Sequence, residues 1–117
     1  FASEVIRKLR ENHEVYIVTA RNEEGLPPEA YGKMQAMVKK WLEDNKIEYD
    51  GIVFTQGSKL PYCLENKIDI MVEDSPRNIA DIATKIPVLC FNNPYNKEVA
   101  GENITRVYSW YDVLAKT

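Results

Sequence analysis

Short apolar runs rich in β-branched residues alternate along the chain with longer segments of helical periodicity. Val15–Val18 has the sequence VYIV, and a continuous run of this kind is typical of a strand buried on both faces. Because strands that alternate with helices form βαβ units, the pattern predicts an α/β fold with a parallel, doubly wound sheet. The predicted strands lie near residues 15–19, 52–55, 68–73 and 88–91, with a possible short edge strand at 106–108.

The segments between the strands carry two kinds of helix signal. Ser75 followed by Pro76 predicts a helix start, because serine caps a helix and proline fits its first turn, and we expect this helix to run to about Lys85. Residues 29–44 predict one long amphipathic helix. Its apolar stripe, expected to face the core, consists of Ala30, Met34, Met37, Val38, Trp41 and Leu42. Further helices are predicted near residues 3–12, 58–66 and 110–115.

The length and charge of the chain limit its partners. A chain of 117 residues is normally a single domain, so we expect one domain over residues 1–117. The net charge of −3 gives no general basic surface for nucleic acid. No apolar run approaches the roughly 20 residues that span a bilayer, and the charged N-terminus is unlike a signal peptide.

The cysteine and histidine content predicts a cytoplasmic, reducing compartment and no zinc site. Cys63 and Cys90 are far apart and form no CxxC motif. We therefore expect buried or half-buried thiols, with a disulfide or a reactive thiol as the alternative. His13 is the one histidine of the sequence and cannot form a zinc site alone.

Polar side chains follow the carboxyl ends of three predicted strands, which is where parallel sheets bind their ligands. The sequences at these ends are Thr19-Ala20-Arg21, Thr55 through Lys59, and Glu73-Asp74. Hydroxyls, a lysine and a carboxylate pair are therefore expected to meet at one rim of the sheet. We expect the functional atoms of Thr19, Lys59 and Asp74 to lie within roughly 10 Å of one another, the span of a phosphate and a hydrated Mg²⁺.

Lys59 and the acidic pair each indicate an ion at this rim. Lys59 lies in the first turn of its predicted helix, where the macrodipole disfavours a cation, so a bound phosphate would explain it. The alternative is a solvated lysine. Glu73 and Asp74 repel each other, and Mg²⁺ would supply the compensating charge. The alternative is that Asp74 serves only as a turn residue before the Ser75 cap.

Three segments resemble the motifs of the haloacid dehalogenase-like phosphohydrolases, and the likeness covers essentially the whole chain. VYIVTAR, with Thr19, resembles the second motif of that superfamily. GSK, with Lys59, resembles the third, and IMVEDSPRN resembles the fourth. WLEDNKIEYDGIVFT, NNPYN and the closing tryptophan helix resemble one branch of it, the deoxy-type cytosolic 5′-nucleotidases.

The resemblance implies a Rossmann-like fold and a Mg²⁺-dependent phosphomonoester hydrolase that acts on nucleotides or similar small phosphates. The implied site residues are Thr19, Ala20 and Arg21 for the phosphate, Lys59 for the nucleophile and the phosphate, Asp74 for Mg²⁺, and Glu73 in support of Asp74 without touching the metal.

The first motif of the superfamily is not found in the sequence before Thr19. This motif is a DxD, whose first aspartate is the nucleophile and whose second is the general acid and base. Because the sequence also begins with Phe1, we expect the C-terminal part of a longer protein, whether cut, expressed separately or resolved in part. This chain alone should then be inactive. The missing first strand belongs between the strands at 15–19 and 68–73. We expect another segment, of this protein or of a second chain, to fill its place, or those two strands to pair directly.

Two other interpretations stay open. A degenerate member of the superfamily would bind a phosphorylated ligand or a partner protein without turnover, and a DxD upstream in the reading frame would distinguish the two cases. An open α/β module of the response-domain type is disfavoured, because such modules carry their acidic pair on the first strand.

Overall fold

The computed structural model describes residues 2–19, 27–30, 32–55 and 58–117, which divide between two compact units, Phe1–Gly57 and Ser58–Thr117. The elements of the first unit are α1 (Ala2–Leu9), β1 (Tyr16–Thr19), a 3-10 helix (Pro28–Ala30), α2 (Lys33–Asp44) and β2 (Gly51–Phe54). The elements of the second unit are α3 (Leu60–Glu65), β3 (Met71–Glu73), α4 (Pro76–Ile82), β4 (Val88–Phe91), β5 (Ile104–Val107) and α5 (Trp110–Lys116). None of the helices described is long and apolar enough to cross a bilayer.

The first unit contains a two-stranded parallel sheet. β1 and β2 pair from Tyr16 opposite Gly51 to Thr19 opposite Phe54. All residues of both strands are half-buried, so the expectation that VYIV is buried on both faces is wrong. In a two-stranded sheet each strand keeps one edge without a neighbour, and its side chains are covered less completely.

Helix α2 is shorter than the sequence predicts and buries less of its apolar stripe. Gly32 adopts a left-handed conformation with φ of +84°, which a helix cannot include, so the helix begins after it. Leu42 is 5% exposed, as expected for the core. Met37 and Trp41 are 71% and 58% exposed, so their predicted place in the core is wrong. These two residues are four apart and share one face of the helix. Among the described residues this face is exposed to solvent.

Two helices, α2 and α3, are followed by a lysine at the position where glycine is usual. Lys46 follows α2 and Lys67 follows α3, with φ of +57° and +54°. Each sits in a Schellman motif, in which the next N–H returns to the helix: Ile47 donates to the Leu42 carbonyl and Ile68 to the Cys63 carbonyl, both at 2.9 Å. Because Ile68 closes α3, β3 begins at Met71 rather than at the predicted 68.

The second unit contains a three-stranded parallel sheet in the order β3-β4-β5. Ser75 caps α4 by accepting from the Asn78 N–H, with Pro76 in the first turn as predicted, although the helix ends at Ile82 rather than near Lys85. The possible edge strand is confirmed as β5, which begins two residues before the predicted 106 and ends one residue before the predicted 108. The buried apolar residues of this unit are Cys63, Met71, Ile79, Ile82, Ile86, Val88, Leu89, Cys90, Val107 and Val113.

All three strand ladders that the structure describes are parallel, which confirms the predicted α/β class. Cys63 and Cys90 are buried and unbonded to each other, so the predicted buried thiols are confirmed and the disulfide is not formed. Within the first unit β1 pairs with β2, and within the second unit β3 pairs with β4. That another segment stands between β1 and β3 remains a prediction.

Candidate active site

A buried ion pair lies at the carboxyl end of β3. Lys59 immediately precedes α3, and Glu73 is the last residue of β3. The Lys59 Nζ donates to the Glu73 Oε2 at 2.7 Å, and the two side chains are only 10% and 7% exposed. The positive charge that the Glu73-Asp74 pair requires is therefore provided, for Glu73, by Lys59.

The Glu73 carboxylate is ionised despite its burial. Burial raises the pKa of Glu73, but the hydrogen bond and charge of Lys59 lower it, as do the N–H groups of Ser75 and Asp74, and the net pKa lies below the usual value. Both N–H groups donate to Oε1, at 3.2 and 3.0 Å. Glu73 thus has one oxygen on Lys59 and the other on the backbone that leads into α4.

Asp74 is held by its backbone while its side chain faces outward. Its N–H is bound by Glu73, and its carbonyl accepts from the Asn96 side chain at 2.9 Å and the Asn93 side chain at 3.4 Å. Asp74 itself is exposed. No described residue forms an ion pair with its carboxylate, so the structure presents this group to solvent on a fixed backbone.

Asn96 and Arg106 form a network behind Asp74 that the sequence analysis missed. Asn96 is fully buried; its Nδ2 donates to the Asp74 and Phe91 carbonyls, and its Oδ1 accepts from the Asn93 N–H and the Arg106 guanidinium. Arg106 also donates to Asn92 Oδ1 and to the Asn96 and Val99 carbonyls, all within 2.9 Å. The density of asparagine in NNPYN was the available signal for a bonded turn.

Cys63 lies on α3 near the Lys59–Glu73 pair. Burial raises the pKa of the Cys63 thiol. The charge of Lys59 lowers this pKa and the charge of Glu73 raises it, both by less than burial does. The thiol is therefore protonated and buried, and it acts as a small apolar side chain rather than as a nucleophile.

Thr19 ends β1 as predicted, and its carbonyl accepts from the Thr55 N–H at 2.8 Å and from the Thr55 hydroxyl at 3.4 Å. Two threonines thus mark the carboxyl end of the first unit's sheet. Thr19 belongs to the first unit and Lys59 and Asp74 to the second, so their convergence remains a prediction. Ala20 and Arg21 lie outside the described residues.

At the carboxyl end of β3, Asp74 offers a metal ion one exposed carboxylate. No group of three His, Cys, Asp or Glu able to enclose a metal occurs among the described residues. Mg²⁺ keeps several waters and is often held by one or two carboxylates plus substrate phosphate. Asp74 fits that role as one ligand. Glu73 does not fit as a second, because Lys59 and two N–H groups already occupy its oxygens.

Comparison with known proteins places these motifs in a family. The family model described as 5′ nucleotidase, deoxy (pyrimidine), cytosolic type C protein matches residues 2–117. The chain belongs to this family. It is 29% identical over 116 residues to "Putative nucleotidase YqfW" of Bacillus subtilis, with 97% of this chain and 55% of that protein covered.

A second relative of this nucleotidase family is "Nucleotidase CA_C3379" of Clostridium acetobutylicum, 28% identical over 112 residues, with 93% of this chain and 53% of that protein covered. The chain therefore spans about half the length of the curated relatives it matches. No solved structure matches it. The predicted resemblance to haloacid dehalogenase-like nucleotidases is confirmed by the family match.

Proposed function

We propose that the full-length protein is a Mg²⁺-dependent phosphomonoester hydrolase that acts on nucleoside monophosphates or similar small phosphates. The observation that carries this proposal is the arrangement at the end of β3, where a buried Lys59–Glu73 pair adjoins an outward-facing Asp74. The family match supports it, as do the two nucleotidase relatives. The free thiols fit the cytoplasmic location that we also propose.

Each residue has a separate task in this proposal. The Thr19 hydroxyl, flanked by Ala20 and Arg21, donates to a phosphoryl oxygen. Lys59 uses one of its three N–H donors on Glu73 and directs its remaining donors to the phosphate and the nucleophile. Glu73 orients the Lys59 ammonium group and positions the Asp74 backbone.

Asp74 would hold the metal ion through its exposed carboxylate, with water, substrate phosphate and a carboxylate beyond the described residues as the other ligands. When bound, Mg²⁺ neutralises charge on the transferring phosphoryl group. Asp74 does not itself exchange protons with the substrate in this scheme.

A second candidate is a phosphate-binding or protein-interaction domain without turnover. A DxD sequence upstream of Thr19 in the reading frame would distinguish the two candidates, because its first aspartate would be the nucleophile. Binding of a nucleoside monophosphate by the full-length protein without any release of phosphate would support this candidate.

The hydrolase proposal is tested with Asp74→Asn in the full-length protein. We expect phosphate release from a nucleoside monophosphate to fall by about a hundredfold or more and to lose its dependence on Mg²⁺, since a metal ligand is removed. The matched control is Asp69→Asn, an exposed aspartate before β3 at the other end of the strand. Equal Mg²⁺ dependence in the two variants would contradict the assignment of Asp74.

A further inference from the structure

Tyr95 is an exposed aromatic residue in the turn that is hydrogen-bonded to the backbone of Asp74, the candidate metal ligand. Its side chain is 83% exposed, the largest value among the exposed large hydrophobic residues described. Asn93 and Asn96 flank it, and both donate their side-chain amides to the Asp74 carbonyl. The NNPYN segment therefore presents an exposed aromatic residue on a turn that is bonded to the Asp74 backbone.

The turn under Tyr95 is held by bonds that do not involve the ring. The Tyr95 N–H donates to Asn93 Oδ1 at 2.9 Å, and the Asn93 N–H donates to Asn96 Oδ1 at 3.1 Å. The Asn96 N–H returns to the Asn93 carbonyl at 3.3 Å. Because the backbone is fixed without it, the ring has no described structural duty in this turn.

The position of Tyr95 suits contact with a planar group. Tyrosine presents a large ring with few rotatable bonds, and aromatic side chains stack on nucleobases of any sequence. Neighbouring strands lie about 4.8 Å apart. A ligand whose phosphate lies at Asp74, after β3, is therefore long enough to reach the end of β4, from which the Tyr95 turn departs.

We propose that Tyr95 is a substrate-positioning residue that stacks on the nucleobase of a nucleoside monophosphate whose phosphate lies at Asp74. The inference rests on the proposed function and narrows its substrate class to phosphate monoesters that carry a planar ring beyond the sugar. Tyr108 is also exposed, at 67%, but it follows β5, one strand farther from β3. It has no part in the proposal.

The test compares two substrates in the full-length protein: the nucleoside 5′-monophosphate that it hydrolyses fastest, and ribose 5-phosphate, which lacks only the base. In Tyr95→Ala we expect KM for the nucleotide to rise about tenfold, the loss of one stacked base, with kcat within about twofold. KM for ribose 5-phosphate should not change. Tyr95→Phe should keep the wild-type values, and so should the matched control Tyr108→Ala.

Direct binding separates this inference from the proposed function. Calorimetric titration of a non-hydrolysable 5′-phosphonate analogue of thymidine monophosphate, with Mg²⁺ present, should give a Kd about tenfold weaker in Tyr95→Ala than in Tyr108→Ala. If the wild type hydrolyses neither substrate, the proposed function fails while this titration still tests Tyr95. Equal effects on both substrates, or no effect on nucleotide KM and Kd, would overturn the role of Tyr95. A fall in thermal stability with unchanged nucleotide binding would overturn it as well and assign the ring to protein packing.

Discussion

The ammonium group of Lys59 is almost fully removed from water, with a single carboxylate to offset the desolvation penalty. For a buried pair the penalty is often as large as the attraction between the charges, so such pairs contribute little net stability. Removing one partner is different, because it leaves the other charge buried and uncompensated. The pair at Lys59 and Glu73 is thus better explained by the proposed phosphate site than by folding.

We expect Lys59→Met to lower the free energy of unfolding by about 3–5 kcal/mol, the usual loss when one partner of a buried pair is removed. The double variant Lys59→Met/Glu73→Gln should regain most of this loss, because the glutamine still accepts from the Asp74 and Ser75 N–H groups. Urea unfolding measures all three proteins. The exposed pair of Lys40 and Asp44 supplies the control, and Lys40→Met should change little. A double variant no more stable than Lys59→Met would refute this account.

The lowered pKa of Glu73 predicts a pH dependence of stability. A carboxyl with a depressed folded pKa contributes its stability above the unfolded pKa and loses it as the pH falls through the folded value. The ordinary value is 4.5. The stability of the wild type relative to Lys59→Met/Glu73→Gln should therefore decline below about pH 4.5. Urea midpoints for both proteins from about pH 6 to about pH 3 test this, and parallel curves would contradict it.

At the scale of the elements, the two helix ends at Lys46 and Lys67 are built on an unfavourable backbone conformation. Both lysines have positive φ, which costs an L-residue with a Cβ more than it costs glycine. The hydrogen bonds of the Schellman motif stabilise the turn and keep both lysines in this conformation. Neither helix end carries the glycine that usually marks it, and this is why the start of β3 was predicted three residues too early.

Replacing Lys46 or Lys67 with glycine should raise the free energy of unfolding by about 0.5–1 kcal/mol, because the strained conformation is relieved. The matched control is Lys39→Gly, an exposed lysine inside α2, where glycine should lower stability by about 1 kcal/mol. Thermal or urea unfolding gives both values. The same sign at Lys39 and at Lys46 would rule out the backbone explanation.

At the scale of the whole molecule, the 117 residues contain candidate groups for binding phosphate and metal but no nucleophile of the DxD type. We expect this chain alone to release no measurable phosphate from a generic phosphate ester, with or without Mg²⁺, because positioning groups do not replace a lost nucleophile. Full-length protein assayed under the same conditions is the positive control. Mg²⁺-dependent turnover by the purified 117-residue chain would refute the proposed division of roles.

Local pattern and long-range contact account for what the sequence could and could not predict. The apolar runs and the Ser75-Pro76 signal act within a few residues, so the presence of the strands and the start of α4 were predicted correctly, whereas the bounds of β3 and β5 were not. Contacts between distant residues could not be predicted in this way. Lys59 and Glu73 are 14 residues apart, and Arg106 on β5 bonds to the NNPYN turn that follows β4. Met37 and Trp41 were misplaced because helical spacing identifies an apolar face and not what covers it.

The hydrogen bonds of Arg106 and Asn96 have a consequence for kinetics. They order the loop between β4 and β5 in the chain itself, so the conformational entropy of that loop is lost during folding rather than on binding. If a ligand binds beside Asp74 as proposed, it meets a loop already in place, and its affinity should not be reduced by a fraction of molecules in an open state. Binding of the ligand should then follow a single exponential phase. The observed rate of that phase should rise linearly with ligand concentration, without a slower step of loop closure.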